Sequence, residues 1–392
     1  MCPDTIKFNQ EQADPAMTYE RPNIRDMAGY TWGEQPAQKQ VIKLNTNENP
    51  YPATASVANA LQSLRVDELR RYPQPFADGF RDVAAAAHGV TRDNIMATNG
   101  GDELLRLAIT TFVDAGQTLG MAEPSYSLYP VLAAVQGCQV ARVSLNDDWS
   151  LPQDFAAQLN AVDARLAFVV NPHAPTGQLL PVSRLREIAT EFNGVLVIDE
   201  AYVDFIEPSQ GYDAVPLIRE FDNVMLLRTM SKGYSLAGLR FAYGIGASSL
   251  LAPMLYKTRD SYNTDALSQH LATAALAARD EAAINWQQVR DERSRLSAAL
   301  AAMGFSVVPS ESNFLLVTVP DSAAAAGLDS QEKLARTLYQ GLKQDGILVR
   351  YFDQPRLRDK LRITVGTGQE NTQLLQSLKA SLKQALQAIQ GA

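Results

Sequence analysis

The sequence predicts an α/β protein with a large domain, built on a mostly parallel seven-stranded sheet, and a smaller α+β domain. Three observations support this prediction. With 392 residues, the chain is longer than one typical domain. From about residue 94 to residue 246, short β-branched runs alternate with helical patterns, which is typical of βαβ units. After a long helical stretch, roughly residues 280–303, the predicted order changes to strand, strand, helix, strand, strand, helix.

Short apolar runs mark the candidate strands, and helical patterns such as residues 102–112 and 182–192 lie between several of them. A largely parallel sheet of this kind must be covered on both faces. The candidate strands of the large domain are residues 94–98, 118–121, 139–144, 166–170, 195–198, 224–227 and 240–245. Those of the small domain are residues 305–308, 313–319, 347–351 and 361–365.

Three segments follow from this order of elements. Residues 1–75 are predicted to form an amino-terminal arm and linker that partly joins the small domain. Within it, the Pro-rich and Asn-rich residues 45–75 are expected to be extended. The large domain is predicted over residues 76–280 and the small domain over residues 281–392.

The charge balance and the apolar pattern argue against nucleic-acid and membrane partners. The net charge is -8, and no cluster of Lys and Arg offers the basic face that phosphate binding needs. No apolar run approaches the roughly 18 residues that would span a bilayer. Residues 1–40 are polar and lack the apolar centre of a secretory signal. We therefore expect a cytoplasmic protein.

The few cysteines and histidines predict neither a disulfide framework nor a metal site. Cys2 and Cys138 are the only cysteines, and they are far apart in sequence. We expect both to be ordinary reduced thiols. His88, His173 and His270 are the only histidines, and none pairs with another at the spacing of metal ligands.

In open parallel sheets, ligands bind outside the carboxyl ends of the strands, and three strand ends carry informative residues. The first is followed by Asn99-Gly100-Gly101-Asp102-Glu103. Two glycines there let backbone amides at a helix start approach an anion such as a phosphate. A tight turn with a helix cap would produce the same pattern.

The second strand end is the apolar run Val195-Leu196-Val197-Ile198, which leads into Asp199-Glu200-Ala201-Tyr202. An acidic strand end also occurs in nucleotide-hydrolysing enzymes, but the partner loop G-x-x-x-x-G-K-[ST] is absent from the chain. The remaining interpretation is a carboxylate that meets a buried cation. A protonated pyridine nitrogen is such a cation, and Asp199 would keep it protonated.

The third strand end is Leu227-Arg228-Thr229-Met230-Ser231-Lys232-Gly233. Between residues 44 and 331 the only lysines are Lys232 and Lys257, so a lysine at this strand end is not routine surface decoration. A desolvated amine, or one close to other cations, is held nearer its neutral form and can form an imine with an aldehyde. Arg240, eight residues further on, offers a fixed fork for a phosphate.

In order and spacing, these motifs resemble fold-type-I aminotransferases of the class I/II branch. That family has the aspartate-aminotransferase fold and uses pyridoxal 5′-phosphate, so the resemblance implies both for this chain. Pro124-Ser125-Tyr126 and Asn171 to Gly177 belong to the same set of motifs, and the resemblance covers most of the chain. Other segments are similar to histidinol-phosphate aminotransferases in particular. They are Leu44-Asn45-Thr46-Asn47-Glu48-Asn49-Pro50, Arg71-Tyr72-Pro73 and Leu361-Arg362-Ile363-Thr364-Val365-Gly366-Thr367.

The resemblance implies roles around the cofactor. Lys232 is expected to form the Schiff base and then to shuttle the substrate proton, while Asp199 pairs with the pyridine nitrogen. Tyr202 is expected to hydrogen-bond the phenolic oxygen, and the Tyr126 ring to stack on the pyridine face. The residues expected to hold the cofactor phosphate are Gly100, Gly101, Asp102, Thr229, Ser231 and Arg240.

The resemblance also implies roles in substrate binding and assembly. Arg350 and Arg362 are expected to grip the anionic end of the substrate, which suits a bidentate guanidinium, although surface arginines on a hairpin would look the same. Tyr30 and Asn47 are expected to help form the substrate pocket. Tyr72 is expected to reach the phosphate in the neighbouring subunit of a homodimer with shared active sites; a simple packing aromatic is the alternative for Tyr72 and for Tyr126.

One position departs from the family pattern. The family has Asn immediately before Pro-Thr-Gly, where the amide donates to the phenolic oxygen of the cofactor, whereas this chain has Ala174. An alanine side chain donates nothing. Either Tyr202 holds that oxygen alone, or Asn171 or His173 is turned to replace the missing donor.

The expected activity is the transfer of the amino group from L-histidinol phosphate to 2-oxoglutarate, a step of histidine biosynthesis. Two alternatives share the scaffold: an aromatic amino acid aminotransferase and a threonine-phosphate decarboxylase. The sequence does not decide which bond at Cα is broken. A non-catalytic, cofactor-binding regulator would need a DNA-binding module before the fold, and the first forty residues do not supply one.

Overall fold

The computed structural model describes residues 19–35, 41–321 and 328–390. Cys2 and most of the residues examined for a secretory signal lie outside these ranges. The strands are β1 (Ile42–Leu44), β2 (Ile95–Thr98), β3 (Thr118–Glu123), β4 (Gln139–Ser144), β5 (Ala164–Val170), β6 (Val195–Asp199), β7 (Val224–Thr229), β8 (Ala242–Gly246), β9 (Ser306–Val307), β10 (Phe314–Thr318), β11 (Ile347–Tyr351) and β12 (Lys360–Thr364).

The helices alternate with the strands in the first part of the chain and lengthen towards its end. They are α1 (Pro22–Asp26), α2 (Ala55–Ser63), α3 (Asp78–His88), α4 (Gly100–Phe112), α5 (Leu128–Gln136), α6 (Phe155–Ala161), α7 (Val182–Glu191), α8 (Leu217–Glu220), α9 (Ser248–Pro253), α10 (Ala266–Ala277), α11 (Arg279–Ala302), α12 (Leu328–Gln344) and α13 (Gly368–Gln390). Among the helices of the described ranges, none is long and apolar enough to cross a membrane.

A seven-stranded sheet forms the larger part of the molecule, in the order β2-β8-β7-β6-β5-β3-β4. Neighbouring strands are parallel from β7 to β4, whereas β8 is antiparallel to both β2 and β7. The prediction of a mostly parallel seven-stranded sheet is confirmed. The last strand starts at Ala242 instead of residue 240 because Arg240 has a left-handed backbone, with φ of 55°, after a 3₁₀ turn over Ala237–Leu239.

The residues of these strands alternate between the two faces of the large sheet, as the period of a β-strand requires. In β6, Leu196 and Ile198 belong to one apolar core, while Val197 belongs to a second core on the opposite face. Helices therefore cover both faces of the sheet, as its apolar strands predicted. The alternation places Asp199, the last residue of β6, on the same face as Val197.

A second sheet has five strands in the order β1-β11-β12-β10-β9. All four strands predicted for the small domain are present, although β9 has only two residues. Strand β1 was not predicted; it is three residues long and pairs in parallel with β11, so the amino-terminal part of the chain contributes to this sheet. The division of the chain at residues 75 and 280 stays a prediction.

The prediction that residues 45–75 are extended is wrong for part of that segment. Helix α2 occupies Ala55–Ser63, and a 3₁₀ turn follows over Val66–Arg70. Between Pro52 and Pro73 this stretch holds neither proline nor glycine, and its Ala, Leu and Gln residues are good helix formers. Val57 is buried, and the Ala60 carbonyl lies 3.0 Å from the His270 ring nitrogen in α10, so tertiary contacts hold the helix in place.

Candidate active site

A cavity of about 260 Å³ opens at the carboxyl ends of β5, β6 and β7, between the two sheets. Because these strands run parallel, residues that follow them in sequence converge at one edge of the large sheet. The second sheet closes the cavity from the other side. Of the predicted site residues, the following line it: Tyr30, Asn47, Gly101, Asp102, Tyr126, Asp199, Tyr202, Thr229, Ser231, Lys232, Arg240, Arg350 and Arg362.

Asp199 lies at the end of β6 and is only 4% exposed. The Tyr129 hydroxyl donates a hydrogen bond to Asp199 Oδ2 over 2.8 Å, and the Ala201 amide donates to Oδ1 over 3.1 Å. Burial raises the pKa of this carboxyl to about 6 despite these hydrogen bonds. A cation placed against it would favour the ionised form, so the site suits a protonated ring nitrogen. Tyr129 was not predicted, because its partner Asp199 lies 70 residues away in sequence.

Lys232 follows β7 and points its amine into the cavity, where Nζ donates to the Thr46 carbonyl over 2.9 Å. Withdrawal from water lowers the pKa of Lys232 to about 8, and the positive charges of Arg362 and Arg240 act in the same direction. A lysine amine with this pKa is neutral in about a tenth of the molecules at pH 7, far more than an ordinary lysine, and neutral amines are the nucleophilic form. Thr46 was not predicted as its partner.

An anion cradle lies at the amino terminus of α4, a helix of 13 residues. Arg240 Nη1 is 3.4 Å from Ser231 Oγ, and Thr229 Oγ1 is 3.0 Å from the same oxygen. Gly101 and Asp102, in the first turn of the helix, line the same side of the cavity. Backbone amides, hydroxyls and a guanidinium that face one space are the donors that a phosphate requires.

Gly100 does not line the cavity itself, but it lets Arg240 approach the helix terminus. Its φ is 76°, and a Cβ at this position would lie 2.7 Å from Arg240 Nη2. Any other residue would therefore strain the backbone and displace the guanidinium. The structure thus gives Gly100 an indirect part in the cradle, and its direct contact with the cofactor stays a prediction.

Tyr126 and Tyr202, which were expected to contact the cofactor ring, each lie beside a residue expected in the substrate pocket. Tyr126 lines the cavity, and its ring meets that of Tyr30 in an edge arrangement with centroids 6.1 Å apart. The Tyr202 hydroxyl accepts a hydrogen bond from Asn47 Nδ2 over 3.0 Å. Burial raises the pKa of Tyr202, so its hydroxyl is protonated at neutral pH.

The two candidates for replacing the donor missing at Ala174 both point elsewhere. Asn171 Nδ2 donates to the Leu180 carbonyl and to the Tyr212 hydroxyl, each over 3.1 Å. His173 pairs with Thr176 through Nδ1 and lines a second cavity on the other side of the loop. Ala174 itself faces the first cavity. Of the side chains named for that role, Tyr202 alone lies at the cavity.

Two arginines close the cavity on the side of the second sheet. Arg350 of β11 and Arg362 of β12 lie directly opposite each other in the antiparallel pair. Arg362 Nη2 donates to the Asn45 carbonyl over 3.0 Å, while its buried Nε has no hydrogen-bond partner among the described residues. Like charges in facing positions repel, and an unpaired buried donor opposes folding. An anion between the two guanidinium groups would relieve both effects.

Tyr72, like Gly100, is a predicted site residue that does not line the cavity. It is 82% exposed, and its ring stacks on that of Tyr262 with centroids 4.6 Å apart. Residues of the cavity that were not predicted include Phe352, Gln354 and Leu357, from the loop between β11 and β12. Their sequence carries no motif, so only the fold could have located them. Among the described residues, no group of three His, Cys, Asp or Glu side chains is arranged to hold a metal ion.

The chain matches the family model of the class I and II aminotransferases over residues 39–378 and belongs to that family. It is 42% identical over 368 residues to histidinol-phosphate aminotransferase 1 of Trichormus variabilis, a match that covers 93% of this chain and 99% of the relative. It is 41% identical over 366 residues to histidinol-phosphate aminotransferase of a Synechocystis species, with 93% and 99% coverage.

Solved structures share the fold at lower sequence identity. The histidinol-phosphate aminotransferase of Sinorhizobium meliloti, in complex with pyridoxal-5′-phosphate, superposes with a TM-score of 0.84 at 24% identity and covers 96% of this chain and 100% of that chain. The L-threonine-O-3-phosphate decarboxylase of Porphyromonas gingivalis superposes with a TM-score of 0.73 at 19% identity, covering 88% and 100%. At these identities the likeness concerns the fold alone.

These findings confirm the expectation of an aminotransferase with the fold-type-I architecture, and the family implies pyridoxal 5′-phosphate as cofactor. The residues of the cavity fit that group. A buried carboxyl with a raised pKa, a lysine with a lowered pKa and a cradle of phosphate donors face one space. They match the ring nitrogen, the aldehyde and the phosphate of the cofactor, respectively.

Proposed function

We propose that this chain transfers the amino group of L-histidinol phosphate to 2-oxoglutarate, a step of histidine biosynthesis. The observation that carries the proposal is the pair of facing arginines at the cavity. Arg350 and Arg362 present two planar guanidinium forks, and one of them has a buried donor without a partner among the described residues. Such a pair suits a phosphate dianion better than a single carboxylate.

The relatives support the same substrate. Curated proteins that are 42% and 41% identical over nearly their whole length are histidinol-phosphate aminotransferases. Both arginines lie in segments that the family model covers. L-Histidinol phosphate has no α-carboxylate, so its phosphate is the anionic group that a pocket can recognise, and 2-oxoglutarate would offer a carboxylate to the same forks.

Pyridoxal 5′-phosphate would supply an aldehyde that condenses with amines and a pyridinium ring that withdraws electrons from the neighbouring carbon. Lys232 would hold the aldehyde end and, in its neutral form, which the lowered pKa makes more accessible, would take a proton from the substrate Cα and return it at the next carbon. Asp199 would keep the ring nitrogen protonated, since the carboxylate is ionised when a cation faces it. Tyr202 would donate to the phenolic oxygen, and Tyr126 would pack on the ring.

The cradle at the start of α4 would fix the cofactor phosphate. Ser231 Oγ already lies within hydrogen-bond distance of both Arg240 and Thr229. They would reorient towards an anion with little movement of the backbone. Asp102 lies 3.4 Å from Arg240 Nη2, so this arginine would exchange a carboxylate for the phosphate.

We also propose a homodimer in which Tyr72 serves the neighbouring site. Tyr72, Tyr262 and Tyr256 are all large exposed aromatics, 82%, 45% and 64% accessible. Tyr72 stacks on Tyr262, Tyr256 meets Phe76 edge to face, and these two pairs expose aromatic side chains. Aromatic residues are enriched at protein interfaces. Sedimentation of the purified protein is expected to give the mass of two chains, and a single-chain mass would refute this part. A cytoplasmic location stays a prediction.

A substrate panel tests the proposed reaction. Purified, cofactor-loaded protein is expected to transfer amino groups from L-histidinol phosphate with a larger kcat/KM than from phenylalanine or tyrosine. Faster turnover of the aromatic amino acids would favour an aromatic aminotransferase. Release of CO₂ from threonine phosphate would favour a decarboxylase, a reaction that the Porphyromonas neighbour's name attaches to the same fold.

A further inference from the structure

Asn47 occupies a position where the arm, the second sheet and the large sheet meet. It is 2% exposed and lies beside Thr364 of β12, Asn313 and Tyr202. Its backbone has a φ of 58°, in the left-handed region. Asparagine tolerates this region better than most residues, so the backbone accounts for an Asn or Gly here but not for the contacts of the amide.

The hydrogen bonds around Asn47 fix which way its amide points. The Asn47 backbone N–H donates to Thr364 Oγ1 over 3.0 Å, and Thr364 Oγ1 is 3.1 Å from Asn47 Oδ1. The hydroxyl therefore accepts from the backbone and gives its own proton to the amide oxygen. With the amide turned over, that buried proton would have no acceptor among the described residues, which would destabilise the arrangement.

This orientation of the Asn47 amide determines the direction in which the Tyr202 hydroxyl points its proton. With Oδ1 facing Thr364, the NH₂ group of Asn47 faces Tyr202 and donates to its oxygen over 3.0 Å. A hydroxyl that accepts from one side carries its proton on another side. Tyr202 lines the cavity, where an acceptor such as a phenolic oxygen would receive that proton.

We propose that Asn47, held by Thr364, is a positioning residue that aims the hydroxyl proton of Tyr202 at the cofactor's phenolic oxygen. The family pattern gives this oxygen two donors, the tyrosine hydroxyl and the amide of the Asn before Pro-Thr-Gly. In this chain Ala174 stands in place of that Asn, so Tyr202 would be the single directed donor. The proposal rests on the proposed function, because the acceptor is the bound cofactor. It reassigns Asn47, which was expected to contact the substrate, to the support of Tyr202.

A purely structural role for Asn47 makes a different prediction. The residue also joins segments, since the Asn313 amide donates to its carbonyl over 2.9 Å. If joining were its whole contribution, substitutions would lower the melting temperature without altering the cofactor's spectrum. A directed donor instead stabilises the phenolate, so its loss moves the spectral titration of the bound cofactor to higher pH.

The experiment is a spectral pH titration of cofactor-loaded variants, with melting temperatures measured in parallel. Asn47→Gly removes the amide and suits the left-handed backbone. Its titration midpoint is expected to rise by about one pH unit, a roughly tenfold change in proton affinity. Thr364→Val should shift it in the same direction, while Thr364→Ser, which keeps the hydroxyl, should leave the wild-type midpoint.

A double substitution tests whether Asn47 affects the cofactor through the Tyr202 hydroxyl. Tyr202→Phe alone should raise the midpoint, and adding Asn47→Gly should raise it no further, because Asn47 is inferred to act through that hydroxyl. An equal shift from Asn47→Gly with and without the Tyr202 hydroxyl would overturn the proposal, as would an unchanged midpoint in Asn47→Gly and Thr364→Val. Those results would leave the proposed function intact, whereas wild-type protein that takes up no cofactor would overturn both.

Discussion

Replacing Arg362 by alanine tests how the cavity recognises anions. Arg362 Nη2 donates one hydrogen bond to the Asn45 carbonyl, and the buried Nε has no partner among the described residues. The guanidinium therefore has at least two N–H groups to offer a substrate. At about 1.5–3 kcal/mol for each hydrogen bond to a charged group, the loss of two raises the barrier by about 3–6 kcal/mol. That corresponds to a decrease in kcat/KM of roughly 150-fold to 25,000-fold.

The comparison with Arg350 sharpens this prediction. Arg362→Ala is expected to lower kcat/KM for every amino donor, whereas Arg350→Ala should lower it steeply for L-histidinol phosphate and less for phenylalanine, which carries no dianion. The assay is steady-state kinetics with both donors. The cofactor's absorbance shows in each variant that the site is loaded. A loss of less than tenfold in Arg362→Ala, or an equal loss for both donors in Arg350→Ala, would refute the assignment.

Three further predictions concern stability and the cofactor's surroundings. Glu200→Ala leaves the buried charge of Arg228 without its partner at 2.8 Å and should reduce the unfolding free energy by about 3–5 kcal/mol in urea denaturation, whereas Asp82→Ala, in a half-exposed pair with Arg92, should reduce it far less. Asp199→Asn should raise the melting temperature of cofactor-free protein above pH 6, because a pKa raised from 3.8 to about 6 means that ionisation opposes folding by about 3 kcal/mol. That gain should vanish below pH 3.8, where folded and unfolded forms are both protonated. Ala174→Asn should move the spectral titration of bound cofactor to lower pH, since an added donor stabilises the phenolate; an unchanged midpoint would contradict this.

Site residues that directly follow a strand could be predicted from the sequence. Asp199 and Lys232 could be predicted because an apolar strand followed by a carboxylate or by an isolated lysine is a local pattern, and parallel strands bring their carboxyl ends to one edge. The antiparallel strand β8 could not be assigned its direction in this way. Its connection from β7 holds no crossover helix, and only the tertiary pairing reveals the reversal.

Site contacts between segments that are far apart in sequence could not be predicted. Thr364 meets Asn47 across 317 positions, and Thr46 meets Lys232 across 186. The local periodicity of a sequence does not indicate which distant residues will form such contacts. Strand β1 was not predicted for the same reason. Its three residues are too few to show an alternating pattern, and it forms a strand because it pairs with β11.

Trapping the cofactor on the protein tests the central claim most directly. Borohydride treatment of the loaded wild-type protein, followed by peptide mapping, should recover the reduced cofactor on the peptide that contains Lys232, and Lys232→Ala should give no labelled peptide. The reason is that Lys232 carries its amine into the cavity with a pKa lowered to about 8. Label recovered on Lys257 or on any other lysine would contradict the account.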